Sequence, residues 1–168
     1  SDIWLEPGEA MSADDMIKAV VVASANDAAV ALAEQISGTE EAFVSEMNQK
    51  AKELGMNNTV FKNCNGLDED GHVTTAYDIS LMARELMKHK SIFNYTSIWI
   101  DYLRNGKTQL VNTNKLLKSY SGITGLKTGT TSEAGCCIVA TAKRNNLELV
   151  AVVLGDKTGK ERFASAAK

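Results

Sequence analysis

Gly125-Leu126-Lys127-Thr128-Gly129-Thr130-Thr131 opens a run of three strand-like segments, and its reading decides the fold. Behind it come Gly135-Cys136-Cys137-Ile138-Val139-Ala140-Thr141-Ala142 and Leu147-Glu148-Leu149-Val150-Ala151-Val152-Val153-Leu154, joined by a tight turn at Arg144-Asn145-Asn146. The first segment pairs with them as a third strand. Alternate side chains of a strand share a face, so Lys127 and Gly129 point one way. The lysine presents a cation, and the glycine lets another backbone come close. Such an edge suits an extended peptide, held by main-chain hydrogen bonds and anchored through its carboxylate. An ordinary exposed Lys-Thr-Gly turn fits the same three residues, so a second motif upstream has to decide between the two.

Upstream the pattern is helical. Pro7-Gly8 marks a turn, and Ser12 with Asp15 three residues on caps a helix starting near Ala13. Met16, Ile17, Val20, Val21 and Val22 make that helix almost wholly apolar, as a buried helix is. Ser24-Ala25-Asn26-Asp27 interrupts the run, and a second apolar helix carries Ala28, Ala31, Leu32, Ala33 and Ile36 before Gly38. Thr39 opens a third, amphipathic helix ending near Gly55. Residues 57–73 form a loop rich in Asn, Asp and Gly, without the D-x-D-x-D-G spacing of a calcium loop. In it, His72 reads as a structural hydrogen-bonding residue. Thr75 with Asp78 caps a fourth helix through Ile79, Met82, Ala83 and Leu86. Residues 98–103 and 108–112 flank Asn105-Gly106 as a hairpin. A short helical turn follows at 114–118, and residues 157–168 start a last helix.

This order is an α+β pattern: a mainly helical part over residues 10–97, then over 98–168 a hairpin, three antiparallel strands and a final helix, all in one domain. A net charge of −3 and 6% aromatic residues argue against a nucleic-acid partner. Three cysteines, Cys64, Cys136 and Cys137, without a C-x-x-C or His pairing, read as buried free thiols rather than as a disulfide framework or zinc site. No apolar run is long enough for a membrane-spanning helix.

Ser24 and Asn26 break an apolar helical run with two polar side chains. Two residues apart on a helix they would face different ways; in an extended or bridging segment they share a face and can enter one cleft. Asn26 capping the second helix is the plainer alternative.

Ser24-x-Asn26 followed far downstream by Lys127-Thr128-Gly129 resembles the second and third motifs of penicillin-recognising serine enzymes. The resemblance is closest to the low-molecular-weight D-alanyl-D-alanine carboxypeptidases of serine peptidase family S11. It extends through Leu5-Glu6-Pro7-Gly8-Glu9, Asn65-Gly66-Leu67 with Gly71-His72, Thr75-Ala76-Tyr77-Asp78 and Asn112-Thr113-Asn114. It implies a β-lactamase/transpeptidase-like fold, a helical subdomain beside an antiparallel sheet. It also implies an acyl-enzyme hydrolase that trims the terminal D-alanine from peptidoglycan stem peptides ending in D-Ala-D-Ala, is acylated by β-lactams, and works outside the cytoplasm without metal or cofactor. Carried over residue by residue, Ser24 relays a proton to the leaving amine, Asn26 holds the peptide amide, and Lys127 supplies positive charge. Thr128, Gly129 and Thr130 bind substrate, with the Thr130 N–H as half of an oxyanion hole, and Arg162 helps hold the terminal carboxylate.

The family nucleophile belongs to an S-x-x-K motif upstream of Ser24. The only S-x-x-K here, Ser165-Ala166-Ala167-Lys168, lies at the wrong end. The expectation is therefore a fragment truncated at the N-terminal strands and nucleophile helix, inactive alone and able to self-associate through an uncovered sheet. A non-catalytic wall-binding module and a β-lactamase of the same fold are the alternatives, the latter without an E-x-x-L-N-like element in this sequence.

Overall fold

A computed structural model describes residues 1–168. The helical part contains α1 (Ala13–Ala23), α2 (Asn26–Ser37), α3 (Glu40–Glu53), α4 (Ala76–Leu86) and the short α5 (Phe93–Thr96). Where the sequence supplies hydroxyl caps, helices start. The Asp15 amide donates to Ser12 Oγ, the Ala42 amide to Thr39 Oγ1, and the Asp78 amide to Thr75 Oγ1, each at 3.1 Å. Each such cap is worth about 1 kcal/mol.

β1 (Ile100–Leu103) and β2 (Thr108–Val111) form the hairpin, followed by α6 (Leu116–Ser119). Then come β3 (Ile123–Thr131), β4 (Gly135–Arg144) and β5 (Leu147–Asp156), an antiparallel sheet in the order β3-β4-β5, and α7 (Gly159–Ala166). β3 is thus an edge strand with one side of its backbone unpaired by the sheet.

Two apolar clusters hold these parts. Ile3, Met16, Ala19, Val22, Ala25 and Ala28 pack on Leu103 and Leu110, which docks the leading segment, α1 and α2 against the hairpin. Leu116, Ile138 and Ala140 pack with Phe163 and Ala166, seating α6 and α7 on the sheet. Asp27 pins the leading segment by accepting from the Ile3 amide at 3.1 Å and the Leu5 amide at 3.0 Å. Those bonds keep its carboxyl below the ordinary carboxylate range, even though burial pushes the other way.

The structure departs from the sequence reading at several points. The His72 side chain makes no hydrogen bond and meets the Phe61 ring edge-on instead, and the three free cysteines are half-buried rather than buried. Ile17, Val20 and Val21 are half-buried, so α1 buries one stripe through Met16, Ala19 and Val22 rather than its whole surface. A 3-10 turn at Lys90–Ile92 and α5 fill residues for which the sequence suggests no element. β3 also starts two residues early, with a register shift between Ile123 and Gly125. There the backbone needs glycine. Gly125 has φ +147, and a Cβ on it would stand 2.6 Å from both Cβ and Oγ1 of Thr96. The close approach lets the buried Thr96 donate to the Thr124 carbonyl at 2.6 Å, which ties α5 to the sheet.

Candidate active-site cleft

A cleft of about 480 Å³ runs beside β3, and all the candidate residues line it: Ser24, Asn26, Lys127, Thr128, Gly129, Thr130 and Arg162. The helical part delivers the first two. α1 ends with Ser24 in the left-handed region, φ 59 and ψ 41, and the Ala25 amide donates back to the Ala19 carbonyl at 3.1 Å. Ala25 is extended, and Asn26 is already the first residue of α2. Asn26 is therefore not the cap. A left-handed residue followed by an extended one, rather than an extended pair, turns both side chains into the cleft. Holding a serine in that conformation costs about 1–2 kcal/mol, and the Schellman-type bond at the end of α1 helps to fix it.

Lys127 reaches across from β3. Its ammonium donates to Ser24 Oγ at 2.7 Å and to the Thr128 carbonyl at 2.9 Å. No carboxylate lines the cleft, and Arg162 is its only other cationic side chain. Burial, helped by the nearby Arg162 charge, pushes the Lys127 pKa down to about 8. It still carries its proton at neutral pH, with the positive charge only weakly compensated. An anion entering this cleft would meet a partly desolvated cation, where a charge-assisted hydrogen bond is strong.

Arg162 is buried, and its Nη1 donates to the Gly129 carbonyl at 2.9 Å, Thr130 Oγ1 at 3.0 Å and the Cys137 carbonyl at 3.2 Å. It fastens the end of β3 to β4 and α7 as well as lining the cleft. Thr128 is also buried, and its hydroxyl pairs with that of Thr113 at 2.5 Å.

Thr113 and the wall formed by Asn65, Gly66 and Leu67 line the cleft too, although the sequence reading assigned them no role. They lie in runs that carry the family resemblance, which was the available signal. The Asn65 wall is latched in place by Asp68, whose carboxylate accepts from Ser132 Oγ at 3.1 Å and from the Glu133 amide at 3.3 Å. Ser165 is exposed on α7 and is no part of the lining.

A larger hollow, about 940 Å³, lies between the leading segment and the hairpin. Its arginine is already engaged: Arg104 clamps Glu9 at 2.6 and 2.8 Å, which pulls the Glu9 carboxyl down to about 2. Asp2 and Glu6 line that hollow as well, so an anion would meet carboxylates there and none beside Lys127.

Residues 1–158 match the family model described as D-alanyl-D-alanine carboxypeptidase, peptidase S11. The chain is 53% identical over 171 residues to D-alanyl-D-alanine carboxypeptidase DacF of Bacillus subtilis, covering all of this chain and 44% of that relative. Among solved structures it is similar to penicillin-binding protein D2 of Listeria monocytogenes in its cefotaxime-bound form, with TM-score 0.84 and 35% identity over 97% of this chain and 71% of that one. Penicillin-binding protein 6B of Escherichia coli gives TM-score 0.91 and 34% identity over 98% of this chain and 52% of that one. The chain thus spans less than half the length of the DacF relative.

Proposed function

The chain belongs to the D-alanyl-D-alanine carboxypeptidase family, peptidase S11, and on that premise we propose that it supplies the proton-relay and carboxylate-binding half of a serine-type D-Ala-D-Ala carboxypeptidase active site. The substrate is a peptidoglycan stem peptide ending in D-Ala-D-Ala, met outside the cytoplasm. One observation carries this reading: the hydrogen bond from the Lys127 ammonium to the Ser24 hydroxyl in a cleft that no carboxylate lines.

In this reading the peptide lies along β3 as an added strand. A serine nucleophile attacks the carbonyl between the two D-alanines while a neighbouring lysine takes its proton. The Thr130 N–H stabilises the developing oxyanion. The proton then travels through Ser24 to the leaving D-alanine amine, and Lys127 steadies the Ser24 oxygen while it is shared. Asn26 holds the substrate amide. The terminal carboxylate is met by Thr128 and by the positive field of Lys127 and Arg162. Water finally attacks the acyl-enzyme, releasing the shortened peptide and restoring the serine. The chain's one S-x-x-K, from Ser165 to Lys168, lies outside the cleft lining and is not the nucleophile of this scheme.

The test uses the full reading frame that contains this chain. D-alanine release from a peptide ending in D-Ala-D-Ala is measured for the unaltered protein and for Lys127→Ala. Removing such an electrostatic donor lowers turnover by about 100- to 1,000-fold. Turnover unchanged by Lys127→Ala would overturn the reading. We also propose that this chain on its own associates through β5, whose outer edge is unpaired and whose Leu147 and Leu149 are more than half exposed. Sedimentation equilibrium showing only monomer at high concentration would count against that association.

A further inference from the structure

Thr113 stands between two anchored asparagines. Asn112 is buried, donates from Nδ2 to the Ile98 carbonyl at 2.8 Å, and accepts the Asn114 amide at 2.8 Å. Asn114 is buried as well and accepts the Leu116 amide at 3.1 Å. The two neighbours face inward and Thr113 is exposed between them, on the cleft lining. Its hydroxyl meets the Thr128 hydroxyl at 2.5 Å, and neither oxygen has another hydrogen-bond partner in the chain.

A hydroxyl has one proton and two lone pairs. Of two paired hydroxyls, one spends its proton on the other and the second keeps a free proton. If Thr128 donates to Thr113, Thr128 has nothing left for a ligand. If Thr113 donates to Thr128, the Thr128 proton is free to enter the cleft, and the donated bond polarises it further. A carboxylate placed against Thr128 accepts only, so it favours the second arrangement.

We propose that Thr113 is a positioning residue for carboxylate recognition: it donates to Thr128 and so commits the Thr128 proton to the substrate's carboxylate. This rests on the reading of the cleft as a D-Ala-D-Ala site. Thr113 acts through Thr128, and its own side chain need not touch the substrate.

The experiment is made on the full reading frame, with benzylpenicillin and its methyl ester as probes and acylation followed by intact mass. Thr113→Val keeps the shape and removes the hydroxyl; Thr113→Ser keeps the hydroxyl. Expected for the free acid is about a 2- to 12-fold slower acylation in Thr113→Val, the range for loss of a hydrogen bond between two uncharged groups. Thr113→Ser stays within about twofold of the unaltered protein, since the bond is retained. With the ester the Thr113→Val loss disappears, and in a Thr128→Val background Thr113→Val has no further effect.

A loss equal for acid and ester, or no loss in Thr113→Val, overturns the proposal. Lys127→Ala is run in parallel. If it cripples acylation while Thr113→Val is neutral, only the Thr113 proposal falls; if neither change matters, the site reading falls with it.

Discussion

Replacing Lys127 by methionine keeps most of the length of the side chain and removes its charge, and the effect on stability should depend on pH in a defined window. The ammonium is buried without a carboxylate partner, and its pKa falls from 10.5 to about 8. At about 1.4 kcal/mol for each factor of ten, that gap is worth about 3 kcal/mol. The sign follows from proton counting. Between pH 8 and 10.5 the unfolded chain holds the Lys127 proton more firmly than the folded one, so this group makes the fold more stable as pH rises. Below pH 8 both states are charged and the whole cost of burial is present. The methionine variant escapes that cost at pH 7 and gains nothing from it near pH 10.5. Its two lost hydrogen bonds, to Ser24 and to the Thr128 carbonyl, subtract a pH-independent amount. The stability difference, variant minus parent, should therefore fall by about 2 kcal/mol between pH 7 and pH 10. Taking the difference matters because other groups titrate in the same range. Burial pushes the Cys64 thiol up to about 12, so it removes stability above its ordinary pKa, opposite in sign to Lys127. The hydrogen bond to Asp14 likewise raises Tyr95. Both cancel between two proteins that share them. Urea unfolding at pH 7, 8, 9 and 10 is sufficient to measure the difference. A difference that stays constant within about 0.5 kcal/mol would refute the argument that Lys127 is an uncompensated buried cation.

Incubated with benzylpenicillin, the 168-residue chain alone should gain no acyl mass; a stoichiometric adduct on Ser24 or Ser165 would overturn the assignment of roles. Asp68→Ala removes the acceptor of Ser132 and Glu133, so hydrogen exchange should quicken at the Glu133 amide and through residues 65–67 while the Asp15 amide, far away at the Ser12 cap, is unchanged. Unchanged exchange around the cleft would mean that the wall stands without its latch. Gly125→Ala places a Cβ against Thr96 and should cost about 1–3 kcal/mol, the usual range for overpacking. Part of that loss should return in the Gly125→Ala, Thr96→Ala pair, and a melting temperature untouched by the single change would contradict the close approach of α5 to β3.

Local chemistry made much of this fold legible. Ser12, Thr39 and Thr75 announce helix starts because a cap is a contact within four residues, and Asn105-Gly106 announces the hairpin for the same reason. α5 was invisible because four residues are too few to show a helical period. The requirement for glycine at position 125 was hidden because the atoms that impose it belong to Thr96, 29 positions earlier. The cleft divides in the same way. Ser24, Asn26 and Lys127 could be paired in advance through their resemblance to a family pattern; periodicity alone left Asn26 as readily a helix cap. Apart from lying in runs that carry the resemblance, Thr113 and the Asn65 wall have no local mark of function, since their part in the cleft arises only when the β2–α6 connection and the 57–73 loop are brought to β3.

The bond between Ser24 and Lys127 joins residues 103 apart in sequence. Closing so long a segment of chain has an entropic cost that only the docking of the helical part on the sheet can offset. A partly folded molecule with α1 and α2 formed but the sheet undocked would hold half a receptor, its Ser24 hydroxyl facing water. A peptide ligand held at its amide by Asn26 and at its carboxylate by Thr128 would need both halves and so recognise only the finished molecule. It would add RT ln(1 + [L]/Kd) to the native state and nothing to the states before it, acting on this chain as a stabiliser of folding as well as an occupant of its cleft.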